Sequence, residues 1–284
     1  MNRSALKSLK YLIIGLLVGA LVSGGIDASA IVSPSGSASD AGAAAIAAAA
    51  KANKTKKKPA KKKKAKKHAK KKKKKKAKPP VASSAGIPLV GLFRITPGAY
   101  AGGSASGSHI RLVLPNGSVE KGPYFPNPNS KGGTYTLLNP GTDGGLRTGT
   151  YQPPPSPDFS LTGDALANRI MAPQRFAFIL YSAATSPKDP QSGLDVPAPS
   201  ISVTSDGKLS GKLQALSAAW NKSYFNQGSP KPDGSSPGLT SPVTGTFNAD
   251  TKAYTMDWTS QVVGGPFNSF SGHWHLEGTF EPSC

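Results

Sequence analysis

Residues 81–284 contain 26 glycines and 22 prolines, about a quarter of that segment. Proline removes a backbone donor and clashes with the preceding helical turn, and glycine carries the largest backbone entropy cost on folding. No long helix survives such a density of breakers. What fits between them is a set of short strands.

The alternation of apolar and polar residues supports that reading. His109–Leu114 places Ile110, Leu112 and Leu114 on one face. Arg175–Tyr181 is apolar on both faces, as a central strand is. Ile201 and Val203 lead to Asp206-Gly207 and then to Leu209, Leu213 and Ala215; an Asp-Gly pair between alternating runs marks a tight hairpin. Val243–Phe247 and Tyr254–Thr259 make a second hairpin about Asn248–Lys252, with Tyr254, Met256 and Trp258 on one side. Ser269–Phe280 is the last strand, and Leu89–Thr96 and Thr134–Leu138 are weaker ones. A short helix is expected at Thr162–Met171, with Thr162 as cap and Pro173 as stop. The fold class is all-β, an antiparallel sandwich or barrel of about eight to ten short strands. The long Pro/Gly-rich loops Thr142–Asp158 and Asn226–Pro242 are where such a scaffold carries function.

Charge is distributed very unevenly. The chain has a formal net charge of +21, yet residues 79–284 balance 13 Lys and Arg against 12 Asp and Glu. Residues 51–78 alone hold 19 lysines and no acid. A basic folded face that reads nucleic acid is therefore excluded. The segment 51–80 is instead a polycation, expected to be extended because like charges repel along any helix. Lys56, Lys57, Lys58, Lys61, Lys62, Lys63, Lys64, Lys66, Lys67, Lys70, Lys71, Lys72, Lys73, Lys74, Lys75 and Lys76 are its polyanion-binding residues. Lysines bind by counterion release, with steep salt dependence and no sequence selectivity, and they lack arginine's bidentate fork.

The N-terminus supplies an address. Arg3, Lys7 and Lys10 precede an uncharged run of 12, Tyr11–Val22, and a small-residue stretch ending Ala28-Ser29-Ala30. That order is a secretory signal peptide, cleaved before Ile31, with an uncleaved membrane anchor as the alternative. The organisation expected is thus a signal over 1–30, an Ala/Ser/Gly linker over 31–50, the polycation over 51–80 and a β-rich domain over 81–284. In an exported protein the lysines meet anionic envelope polymers, acidic polysaccharide or an anionic membrane surface, where each contributes about 1 kcal/mol; unselective contact with nucleic acid is also open to them. The single cysteine, Cys284, permits a disulfide to another chain and none within this one.

Two sets of residues stand out within the β segment. In Ser271–Phe280, strand alternation puts His273, His275 and Glu277 on one face, and Trp274, Leu276 and Phe280 on the other. Two histidines and a carboxylate are ligand types for zinc or another divalent transition metal. Same-face neighbours lie about 6.6–7 Å apart along a strand, so the histidines converge more easily than Glu277, and a third ligand would come from elsewhere, His109 being the other histidine of the segment. The alternative is an ordinary polar stripe on a half-buried strand. Trp220, Tyr224 and Asn226 form the second set, aromatic rings beside amides at the start of a long loop, suited to carbohydrate hydroxyls unless they fill the core. H-E-x-x-H, Walker and G-x-G-x-x-G motifs are missing from the sequence. The expectation is an exported envelope-binding protein without a cofactor. A metal-dependent exported enzyme on His273 and His275 is the first alternative, and an exported nucleic-acid binder the second.

Overall fold

The computed structural model describes residues 86–283. Its strands are β1 (Ile87–Leu89), β2 (Gly91–Ile95), β3 (Ala99–Ala101), β4 (Ser104–Ser106), β5 (His109–Ser118) and β6 (Gly122–Phe125). Next come β7 (Tyr135–Leu137), β8 (Gly145–Arg147), β9 (Gln174–Phe176), β10 (Ile179–Thr185), β11 (Ser200–Val203) and β12 (Lys208–Lys212). The last are β13 (Leu216–Trp220), β14 (Ser223–Asn226), β15 (Ser241–Phe247), β16 (Ala253–Gln261) and β17 (Ser271–Pro282). These 17 strands outnumber the eight to ten expected, because the turn residues cut several runs into three-residue pieces. The described residues are all-β, with every pairing antiparallel.

Eleven strands form one curled sheet, a half-barrel, in the order β1-β11-β12-β15-β16-β17-β2-β8, with β5 also on β17 and β6 and β7 on β5. A four-stranded sheet runs β14-β13-β10-β9, and β3 and β4 make a separate ribbon. Both expected hairpins form. β11 pairs with β12 across Asp206-Gly207, Val203 opposite Leu209, and β15 pairs with β16, Phe247 opposite Tyr254.

β17 organises the large sheet. One edge pairs with β16 along its length, Gln261–Ala253 opposite Ser271–Thr279. The other edge is shared: Ser271–His275 faces β5, and Gly278–Pro282 faces β2. Gly278 sits where the two partners meet, and a Cβ there would run into Arg94 O, so the close backbone approach requires glycine.

Two sequence expectations are corrected. Thr162–Met171 is not a helix. Its backbone is committed sideways: Ala165 N donates to Leu180 O, while the carbonyls of Asn168, Arg169 and Ile170 accept from Thr142, Asp143 and Gly141. Burial follows a period of two, with Ala165 and Ala167 inside and Leu166 and Asn168 outside. Arg175–Tyr181 is not one strand either. β9 and β10 fold back on each other with Phe176 opposite Ile179, Ala177 adopts a φ of 55°, and Phe178 is 54% exposed. The doubly buried strand is β10, which begins at Ile179.

The core lies between the two sheets. Ile95, Trp258, Trp274 and Leu276 of the large sheet meet Ala183 and Leu216 of the small one around a void of about 10 Å³, room for a single water at most. Trp258 and Trp274 are cross-strand partners whose rings stack 5.4 Å apart, 6° from parallel. Their indole N–H groups are both satisfied at Gln227, by its backbone and side-chain oxygens respectively.

Candidate functional site

Because side chains alternate, β17 presents two chemically different faces. His273, His275 and Glu277 point one way, and Trp274, Leu276 and Phe280 the other, the latter three all buried. The register brings partners to the polar face: His109 of β5 lies opposite His275, Arg111 opposite His273, and Asp257 of β16 opposite His275 from the other side. His109 is therefore beside the predicted pair, as a third ligand would have to be.

Contacts on this face tie the groups to one another. His275 Nδ1 is 2.8 Å from Asp257 Oδ1, and its Nε2 is 3.5 Å from Glu277 Oε2. His273 Nε2 lies 3.5 Å from the same Asp257 oxygen. Glu277 also accepts from Gly107 N at 2.8 Å. The His109 ring stacks on His275 with centroids 4.8 Å apart, its Nδ1 3.0 Å from Gly107 O. His273 and His275 are 16% and 21% exposed, so this is a half-buried network rather than a solvent-facing stripe.

The environment separates the two stacked histidines. Burial pushes His109 below its ordinary pKa, the bond to Gly107 O opposing this and the neighbouring histidines adding to it. His275 is raised, first by its hydrogen bond to Asp257 and against a burial penalty. Burial would raise Asp257, yet the hydrogen bonds from His273 and His275 outweigh it and hold the carboxyl well below the usual carboxylate range. The stack thus pairs a ring shifted toward the neutral form with one shifted toward the charged form. Beside it the Arg111 guanidinium lies over Tyr124 at 3.3 Å from the ring centroid and over Tyr135 at 4.4 Å, an arrangement that attracts a cation to both ring faces. Arg111 Nε and His273 Nδ1 are buried with no hydrogen-bond partner in the protein.

Among the described residues, no three His, Cys, Asp or Glu side chains are arranged as a metal-holding set. Here both nitrogens of His275 face carboxylates, Nδ1 that of Asp257 and Nε2 that of Glu277.

The second predicted set, Trp220, Tyr224 and Asn226, is brought together on adjacent strands, with Trp220 next to the β13–β14 turn and opposite Ser223. It does not form an open platform. Trp220 is 4% exposed and donates to Phe176 O. Tyr224 donates to Asp158, and Asn226 donates to Asp189 Oδ1 and Gln214 O. The Trp220 ring instead walls a cavity of about 90 Å³ on the inner side of the large sheet, with Ile110, Leu112, Phe176, Phe267 and Trp274. Tyr181 and Gln227 are the lining residues whose side chains carry an oxygen.

Sequence reasoning missed Asp257, Arg111, Tyr181 and Lys231. Asp257 was recoverable: Tyr254, Met256 and Trp258 all point inward, so Asp257 points outward, next to the histidine strand. Lys231 carried no signal. It lies in the Asn226–Pro242 loop, 5% exposed, with Nζ donating to Asn226 O at 2.8 Å and Ser260 Oγ at 2.7 Å. Burial lowers its pKa to about 8, against the pull of Asp189 and Asp233.

The segment expected to be a signal peptide, the sixteen lysines expected to bind polyanions and Cys284 lie outside the described residues. Comparison with protein-family models, with curated proteins and with solved structures gave no match.

Proposed function

We propose that this is an exported, envelope-associated binding protein in which Lys51–Lys78 docks on anionic surface polymers while the β segment holds a ligand. The observation that carries the reading is the charge partition: 19 lysines without an acid in 28 residues, followed by a segment of net charge +1. So pure a run exceeds what solubility requires, and its chemistry is that of an unselective polyanion anchor. The β segment adds an aromatic-walled cavity with few polar groups, the usual form of a small-molecule site.

The test is a salt titration of binding to a defined acidic polysaccharide, with duplex DNA as competitor. Log K should fall linearly with log salt, losing at least about 10³-fold between 50 and 200 mM if six or more lysines engage. Deleting Lys51–Lys78 should flatten the slope. A shallow slope in the full chain rejects the anchor, and tenfold preference for DNA over polysaccharide moves the partner to nucleic acid.

A further inference from the structure

We propose that the cavity behind β5 and β17 takes the apolar end of a small hydrocarbon ligand, with Tyr181 donating a hydrogen bond to one oxygen on it. This deepens the reading that the β segment holds a ligand and rests on it. Tyr181 is 7% exposed, it lines the cavity, and its hydroxyl is buried with no partner in the protein. A buried hydroxyl left unbonded is costly, so it marks a place where a bonding group belongs. The other polar side chain of the wall, Gln227, is already committed: Oε1 accepts from Trp274 Nε1 and Nε2 donates to Asn226 O. Tyr181 is therefore the wall's uncommitted polar group.

The rest of the wall specifies hydrocarbon. Phe176 meets Tyr181 at 80° and Trp220 at 83°, and Trp220 meets Phe267 at 65°, so ring faces and edges both turn inward. No charged side chain lines the space, and a charged ligand would lose its hydration without compensation. At about 90 Å³ the cavity is smaller than the ~150 Å³ that holds a benzene. It is not sealed, and Ile110, Leu112 and Phe176 are only half-buried. It therefore fits the end of a ring or chain whose remainder projects outward.

The experiment uses the purified full chain with cyclohexanone, which carries one acceptor oxygen, and methylcyclohexane, which carries none. Trp220 and Trp274 line the cavity, so tryptophan emission reports occupancy. Both probes should give saturable shifts. Tyr181→Phe should weaken cyclohexanone about 5-fold and leave methylcyclohexane within 2-fold. Ala218→Leu, which fills the cavity, should abolish both responses. Ligand-free Tyr181→Phe should melt about 2–4 °C higher, since the hydroxyl it removes has no partner. Absence of a saturable response to either probe, unchanged cyclohexanone affinity in Tyr181→Phe, or a lower melting temperature for that variant each overturns the proposal. Failure here with salt-sensitive polyanion binding intact rejects this ligand and leaves the anchor; the opposite pattern rejects the anchor alone.

Discussion

Lysine is used in two opposite ways in this chain. Between residues 51 and 78 it is repeated 19 times with no acid in the segment, so the segment carries no counter-charge of its own. Lys231 is a single lysine enclosed by the fold, fitted to two oxygen acceptors and held near the point of neutrality by burial. The contrast shows that the strong basic character belongs to a segment and not to a surface. The β region brings its charges together in small networks, as Asp143 does with Arg147 and Arg169 and Asp257 with His273 and His275. Its chemistry is consequently local, and its stability should respond to pH at particular residues, whereas the lysine segment should respond to salt as a whole.

The sharpest way to separate the two is to damage the β region alone. Trp258 is 1% exposed and stacks on Trp274. Trp258→Ala should cost about 3–5 kcal/mol in urea unfolding while leaving the salt slope of polyanion binding unchanged. A slope that falls with stability would show that the folded part contributes to docking.

Lys231 gives the next largest effect. Its folded pKa of about 8 lies below its ordinary 10.5, so between those values the folded state holds fewer protons than the unfolded one, and stability rises with pH. Compared with Lys231→Met, the wild type should gain up to about 3 kcal/mol between pH 8 and 10.5. Parallel pH profiles would mean that Lys231 is not desolvated as its burial implies.

His275 tests the polar face of β17 with the smallest effect and the opposite sign. Its pKa is raised by Asp257, so its contribution is fully present below the ordinary histidine value of about 6.5 and is lost as pH rises through the folded value. His275→Gln should narrow the stability gap to wild type by about 1 kcal/mol from pH 6 to 8, the low end for a charge-assisted bond because Asp257 is 40% exposed. A gap that widens would place the proton on His109.

Much of the fold was legible because strand alternation and turn chemistry agree. Asp206-Gly207 marked its hairpin, and the inward rows Tyr254-Met256-Trp258 and Trp274-Leu276-Phe280 are buried as the alternation requires. Thr162–Met171 misled because Thr162 and Pro173 are sound helix boundaries, while the segment's hydrogen bonds go to β10 and to residues 141–143, partners that local sequence does not reveal. Arg175–Tyr181 misled because nothing in Ala177-Phe178 announces a turn. Of the site, His273, His275 and Glu277 were visible as a same-face row. That His109 stacks on His275, and that Tyr181 is left without a partner, follow from sheet register and inter-sheet packing.

The central claim is that the lysine segment addresses the protein and the β region does the binding chemistry. It is tested most directly by retention of the full chain and of a Lys51–Lys78 deletion on the producing cell's envelope, across one salt series. The account predicts that the full chain is retained at low salt and released steeply as salt rises, and that the deletion is released throughout. Equal retention of the two would contradict it and assign recognition of the envelope to the β region.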